Sequence, residues 1–321
     1  MTDAHDLAAD VVDVVVPAGL HGVRCDRALA MLTGRPRTVI AAAVAARRVR
    51  VDDVVVVKPS TALAAGQHLV AEIPAPDDGW VAADDTVEVD VAREGADYVV
   101  VNKRAGQVVH PGAGQRTGTL VAGLLARYPE LDRLRENGTC EAGRPGIVHR
   151  LDKGTSGLLV VARTARGYHA LRGELAQRRV ERVYLGLVEG HLAESHGLID
   201  APIGRSTRTP TMMAVRADGR PARTSYDVLT RLVEPRTTLL RLRLETGRTH
   251  QIRVHTASIG HPVVNDLRYG HRRDHRLADD RLFLHASHLG FHDPASGARI
   301  DVSAPLPVDL ATIASDPIAT P

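Results

Sequence analysis

Asp152 stands between two cations, Arg150 and Lys153, in the run His149-Arg150-Leu151-Asp152-Lys153-Gly154. Flanking positive charge favours the ionised form of a carboxylate. An ionised carboxylate held on a rigid element suits nucleophilic or general-base chemistry. The apolar run 158–162 that follows reads as a buried strand able to supply that rigidity. Taken alone, the run fits a surface ion pair at a turn better, since structural ion pairs outnumber catalytic ones. Three further segments weigh against that plainer reading.

In the first, Val99 to Gly112, a strand meets a loop that holds Gly106, Pro111 and the cations Lys103 and Arg104. Such a loop can present backbone N–H groups to a phosphate. Its Gly112-Ala113-Gly114 is half of a dinucleotide fingerprint and lacks the rest. The second, 178–188, is an arginine-bearing strand with Tyr184, a residue type that often packs half-buried in strands. The third is Thr246-Gly247-Arg248-Thr249-His250-Gln251-Ile252-Arg253-Val254-His255. Here a strand is expected to end at Gly247. Thr249 is expected to N-cap a short helix reaching Ser258, stopped by Gly260 and Pro262. With Arg248 and Arg253, that N-terminus makes an anion-friendly corner. His250 and His255 diverge by about 140° on a helix and form a poor metal pair. With no His-Glu-x-x-His, Cys-x-x-Cys or Walker sequence, neither a metal nor a nucleotide cofactor is expected.

These segments need a scaffold, and 321 residues suffice for about two domains. Aromatic residues make up only 3%, so the cores must rest on Val, Leu, Ala and Ile. Lysine occurs only at 58, 103 and 153; the other basic residues are arginine, as GC-rich coding favours, so arginine abundance alone says little about partners. Cys25 and Cys140 lie far apart and suit a reducing cytoplasm. No apolar run approaches membrane-spanning length, and the acidic start argues against a secretory signal.

Residues 1–16 read as a lead-in or a first strand. Residues 17–76 read as a small α/β domain, with helices over 24–31 and 36–46 and strands over 49–57 and 66–73. Its stretch from Arg27 to Val51 has six arginines, among them Arg35, Arg37, Arg47 and Arg48, and no acid. That is a candidate phosphate-binding face. The Pro- and Asp-rich 77–90 reads as a linker. A larger domain follows over 91–310, then a tail over 311–321. Strand patterns at 98–102, 158–162, 180–188, 225–232 and 238–246, with helices at 119–128 and 165–177, indicate an α+β fold on a mixed, largely antiparallel sheet.

Taken together, the segments resemble the RluA/RluD-type RNA pseudouridine synthases, most closely the RluD-like branch. The resemblance runs from about residue 20 to 308. It is carried by His149-Arg150-Leu151-Asp152 with Thr155-Ser156-Gly157, by Thr246 through His255, and by Val109-His110-Pro111-Gly112 and His261-Pro262-Val263-Val264. The small domain is similar to an S4 RNA-binding domain. The resemblance implies cofactor-free isomerisation of uridine to pseudouridine in RNA, most specifically 23S ribosomal RNA; a cytoplasmic monomer with no DNA partner and no membrane is the default expectation. Asp152 would act at the ribose as nucleophile, charge stabiliser or base. Arg253, or alternatively Arg248, would pair with it. Tyr184 would stack on the uracil and take the C5 proton, and Arg150 would fill the space left by the extruded base. Lys103, His110, Arg248 and His250 would contact substrate or RNA. Five positions depart from the usual pattern: Arg104 for Pro, Gly154 for Asp, Asn265 for Gly, and Asp52-Asp53 for Asn-Gly. Two other classes fit part of the sequence, a non-catalytic RNA-binding or ribosome-assembly factor and a base-excising glycosylase.

Overall fold

The computed structural model describes residues 10–35, 37–73, 80–112, 115–270 and 272–314, residue 38 in its backbone alone. Residues 1–9, Pro36, Ala113, Gly114 and 315–321, on which parts of the sequence reading fall, lie outside the described residues, as do 74–79 at the start of the expected linker. The chain divides into two units, 1–78 and 79–321.

The smaller unit holds β1 (Asp10–Val15), α1 (Cys25–Thr33), α2 (Arg37–Ala45), β2 (Val49–Val51), β3 (Val54–Val55) and β4 (His68–Ile73). Its sheet has the order β1-β4-β2-β3, so 10–15 is a first strand rather than a loose lead-in. Leu69, Ala71 and Ile73 alternate inward along β4 and meet Leu29 of α1 and Ile40 and Val44 of α2. One face of the sheet is thereby buried and the other left to solvent, as the period-two pattern dictates. The β2–β3 turn sets Asp52 and Asp53 in left-handed backbone (φ 49° and 63°). The Asp52 carboxylate holds that turn by accepting the His68 N–H at 2.8 Å. Arg47 and Arg48 are exposed. Arg35 and Arg37 are not free cations: each donates to a carboxylate at 2.6 Å, Asp10 and Asp26 respectively.

The larger unit runs β5 (Val91–Glu94), β6 (Tyr98–Lys103), α3 (Leu120–Arg127), α4 (Asp132–Glu136), β7 (Ser156–Ala162), α5 (Ala165–Ala176), β8 (Glu181–Glu189), β9 (His196–Asp200), β10 (Ile203–Arg205), β11 (Met213–Val215), β12 (Arg223–Leu232), β13 (Thr237–Leu244), α6 (Gln251–Ser258), β14 (Leu284–His292), β15 (Arg299–Ser303) and α7 (Val308–Ala314). Its main sheet has the order β5-β6-β7-β14-β8-β13-β12-β9, with β15 beside β14. Among the described residues only β7–β14 is parallel. Every residue of β7 is buried. Leu159 and Val161 face one core with Val121 and Leu124 of α3. Leu158, Val160 and Ala162 face the other with Leu171 of α5 and Phe291. A run apolar on both sides is what a strand between two cores requires. Gly157 permits the parallel contact: its φ is 111°, and a Cβ there would stand 2.3 Å from the Ala286 carbonyl oxygen.

Residues 80–90, expected as linker, belong to this unit. Trp80 lies under the Arg135 guanidinium, which donates to the Val81 carbonyl, and Val81 is buried. At the other end α7 extends the packed chain past 310, since Leu310 and Ile313 join Leu187 and Phe283 in a core cluster. Among the described residues no helix is long and apolar enough to cross a membrane.

Candidate active site

Asp152 lies in the loop that leads into β7, and every neighbour of that loop is pinned. His149 Nε2 accepts the Val160 N–H at 3.1 Å. It serves a part of β7 beyond Ser156 and Gly157, where the pairing with β14 ends. The Lys153 carbonyl accepts from the Gly106 N–H at 2.8 Å and Lys103 Nζ at 3.3 Å. The Gly154 carbonyl accepts from the Leu282 N–H and Arg281 Nη1. A Cβ on Gly154 would come within 2.0 Å of the Asp280 carbonyl oxygen, so this backbone has no room for the Asp usual in the resembling family. Four backbone anchors from two distant segments thus fix the approach to the carboxylate.

The Asp152 side chain is 18% exposed. Its Oδ2 accepts from Arg253 Nη1 at 3.0 Å. Arg253 in turn donates through Nε and Nη2 to Asp266, at 2.7 and 2.8 Å, and the Asp266 side chain is fully buried. Burial alone would push the Arg253 guanidinium down, but the bonds to Asp266 and the charge of Asp152 outweigh it and hold it above its usual range. One forked cation therefore bridges a buried carboxylate and a reachable one, the geometry to which guanidinium is suited. His250 Nε2 lies 3.9 Å from Asp152 Oδ1.

Asp152 lines a cavity of about 1000 Å³ with His110, Arg150, Met212, His250 and Arg253. A cavity of about 50 Å³ joins Asp152 to Tyr184 between the apolar walls Leu244, Ile252 and Leu284. Arg150 and Tyr184 line a third, of about 450 Å³, with Arg248. Arg150 borders all three. A solvent-reachable carboxylate with a fixed cation, beside a small apolar slot and the exposed Arg150, can act on a sugar whose planar base is extruded next to it.

Residues 97–258 match the family described as RNA pseudouridylate synthase. The chain belongs to the RNA pseudouridine synthases. An uncharacterized RNA pseudouridine synthase of Chloroflexus aurantiacus is 51% identical over 65% of this chain and 63% of that protein. Ribosomal large subunit pseudouridine synthase D of Vibrio parahaemolyticus is 39% identical over 82% of this chain and 81% of that protein. Among solved structures, human RNA pseudouridylate synthase domain containing 1 aligns with a TM-score of 0.54 at 28% identity, over 69% of this chain and 85% of that one. The synthase thus acts on RNA and isomerises uridine. Its α+β sheet, mixed and largely antiparallel, is that family's fold.

The structure places the synthase's expected site residues unevenly. Arg253, not Arg248, pairs with Asp152; Arg248 Nε donates to the Pro221 carbonyl. Lys103 is not a loop cation offered to phosphate. It is 1% exposed, and its ammonium donates to the carbonyls of Arg104, Gln107 and Lys153. Burial pushes it down to about 7, against the pull of Asp152, and its work is to tie β6 to the Asp152 loop. Tyr184 is 6% exposed, and burial pushes its phenol up to about 12, with Arg182 opposing. That direction works against a proton-abstracting phenolate and leaves the ring face as its contribution. Thr249 does not cap α6. The N-cap is His250, in left-handed backbone (φ 56°), while Gln251 Oε1 accepts from the Thr246 hydroxyl and the Arg248 N–H. Asp266 and Tyr269 were missed as positioning groups; the Asn265-Asp266 turn after His261-Pro262 was their only signal. Asn265 takes φ 64°, which Asn tolerates and which explains Gly as the usual occupant.

Among the described residues, Glu181, His288 and Asp301 are the one group that brings three metal-capable atoms together. Arg299 already donates to both of its carboxylates, so a cation occupies the position a metal would need.

His110 is expected to contribute to acid sensitivity of the synthase. It is 5% exposed, and its Nε2 faces Arg150 Nη1 at 3.2 Å. Burial, reinforced by Arg150 and Arg144, pushes its imidazole down to about 4. The unfolded chain therefore takes up this proton first, near pH 6.5. Stability is lost as pH falls from there toward 4, by on the order of 2 kcal/mol. Urea midpoints at pH 7 and pH 4.5 should differ less in His110→Asn than in the parent. An equal difference would remove His110 from the account.

Proposed function

We propose that this synthase modifies uridines of large-subunit ribosomal RNA, working as a cytoplasmic monomer, with Asp152 as the group that attacks or stabilises the ribose. The reading is carried by the bond from Arg253 to Asp152 at 3.0 Å beside an arginine-lined cavity, and by relatives named for the large ribosomal subunit. Breaking the glycosidic bond builds positive charge at the sugar, which a held carboxylate offsets or captures. Tyr184 stacks on the uracil, and Arg150 occupies the place it leaves. His110 and Arg248 line the approach of the strand, and the exposed Arg47 and Arg48 of the S4-like unit add salt-sensitive phosphate contacts.

RNA labelled with tritium at uracil C5 tests this. The synthase is expected to release the label from large-subunit ribosomal RNA while the base stays attached, and to leave small-subunit RNA and tRNA untouched. Free uracil would mark a glycosylase, and release from tRNA alone would overturn the ribosomal assignment.

A further inference from the structure

His250 has two polar neighbours, and together they decide where its proton sits. Nδ1 lies 2.7 Å from the Tyr269 hydroxyl oxygen. That oxygen already accepts the Met213 N–H of β11 at 3.1 Å. A backbone N–H only donates, so the phenol's single proton is free to be given, and Nδ1 is the acceptor beside it. The other nitrogen, Nε2, faces the Asp152 carboxylate at 3.9 Å. A lone pair there would oppose the carboxylate; an N–H would not. Tyr269 is itself fixed, since Asp266 Oδ1 accepts its N–H at 3.2 Å and its ring lies against the Arg253 guanidinium. The charged groups around the imidazole are Asp152 and Asp266 on one side of the balance and Arg253 and Arg268 on the other.

We propose that Tyr269 is a positioning residue that locks His250 as the neutral Nε2–H tautomer, keeping an uncommitted donor beside Asp152 for an oxygen of the extruded nucleoside. At 3.9 Å the donor is beyond hydrogen-bond range of Asp152, so substrate rather than the enzyme satisfies it. Asp152 is then flanked by a permanent cation on Oδ2 and a neutral donor near Oδ1. The left-handed backbone of His250 is a strain of the sort retained where the ring's direction matters. The functional half of this proposal rests on Asp152 as the reacting group; the tautomer does not.

Nitrogen-15 histidine correlation spectra of the full chain at pH 7, with His250 assigned through His250→Gln, read the tautomer directly. The expected pattern is an unprotonated, hydrogen-bonded Nδ1 and a protonated Nε2. In Tyr269→Phe, which keeps the ring and removes the hydroxyl, the pattern is expected to become a tautomer mixture. In that variant kcat should fall about tenfold with KM within about threefold. A protonated Nδ1 in the parent, or an unchanged spectrum in Tyr269→Phe, would overturn the lock. An altered spectrum with unchanged kcat would overturn the positioning role. Should Asp152→Asn stay active while the spectra behave as stated, the failure lies with Asp152 and not with the tautomer.

Discussion

Asp152→Asn is expected to release no C5 tritium above the enzyme-free blank, a loss of more than about 10³-fold. The amide fills the space of the carboxylate and can still accept from Arg253 Nη1, so the geometry around Arg253 is kept. What goes is the negative charge at the more exposed of the two carboxylates held by this guanidinium; the side chain of Asp266, its other partner, is fully buried. Because Asp266 continues to satisfy Nε and Nη2, the fold should lose no more than about 1 kcal/mol. RNA affinity should stay within about tenfold, since phosphate contacts dominate it. Filter binding and tritium release on the same preparation separate the two effects. Release at the parent's rate would remove Asp152 from the chemistry.

Arg253→Met carries the largest expected cost in stability. Arg253 is 8% exposed, and methionine can fill much of its volume. Asp266 would nevertheless keep its buried charge with only the N–H groups of Arg268 and Tyr269 to meet it. Stranding one partner of a buried pair typically costs about 3–5 kcal/mol. For a unit of this size that lowers Tm by roughly 10 °C. Activity should fall as well, by about 10² or more, because Asp152 loses its donor. Arg253→Lys should recover little, since one ammonium cannot span two carboxylates in fork geometry. Urea unfolding followed by circular dichroism supplies the number, and a change below 1 kcal/mol would show that Asp266 is neutralised in some other way.

The parts of this molecule written in contiguous residues were legible. Strand β7 announces itself because five consecutive apolar residues next to a Gly can only sit between two cores. Asp152 announces itself by its flanking cations. The pairing of Asp152 with Arg253 spans 101 positions, and the residues alone left Arg248 as an alternative. Lys103 was misread because a lysine in a Gly- and Pro-rich loop looks solvated; only the fold brings three carbonyls around its ammonium. The cap of α6 was misplaced because Thr249 has the right chemistry, while Gln251 reaches both the Thr246 hydroxyl and the Arg248 N–H. The linker was drawn too long because the Pro- and Asp-rich composition drew attention away from Trp80 and Val81. Asp266 and Tyr269 act through Arg253 and His250, and a residue that works at second hand leaves almost no local trace.

Among the described residues Arg150 alone borders both cavities that reach Asp152 and the third beside Tyr184. The walls between those spaces are therefore partly a single long side chain rather than a hinged loop. Swinging an exposed side chain takes picoseconds to nanoseconds, whereas lids open in microseconds to milliseconds. Were this side chain the whole barrier, a nucleotide would be admitted as readily as the RNA gives up the base.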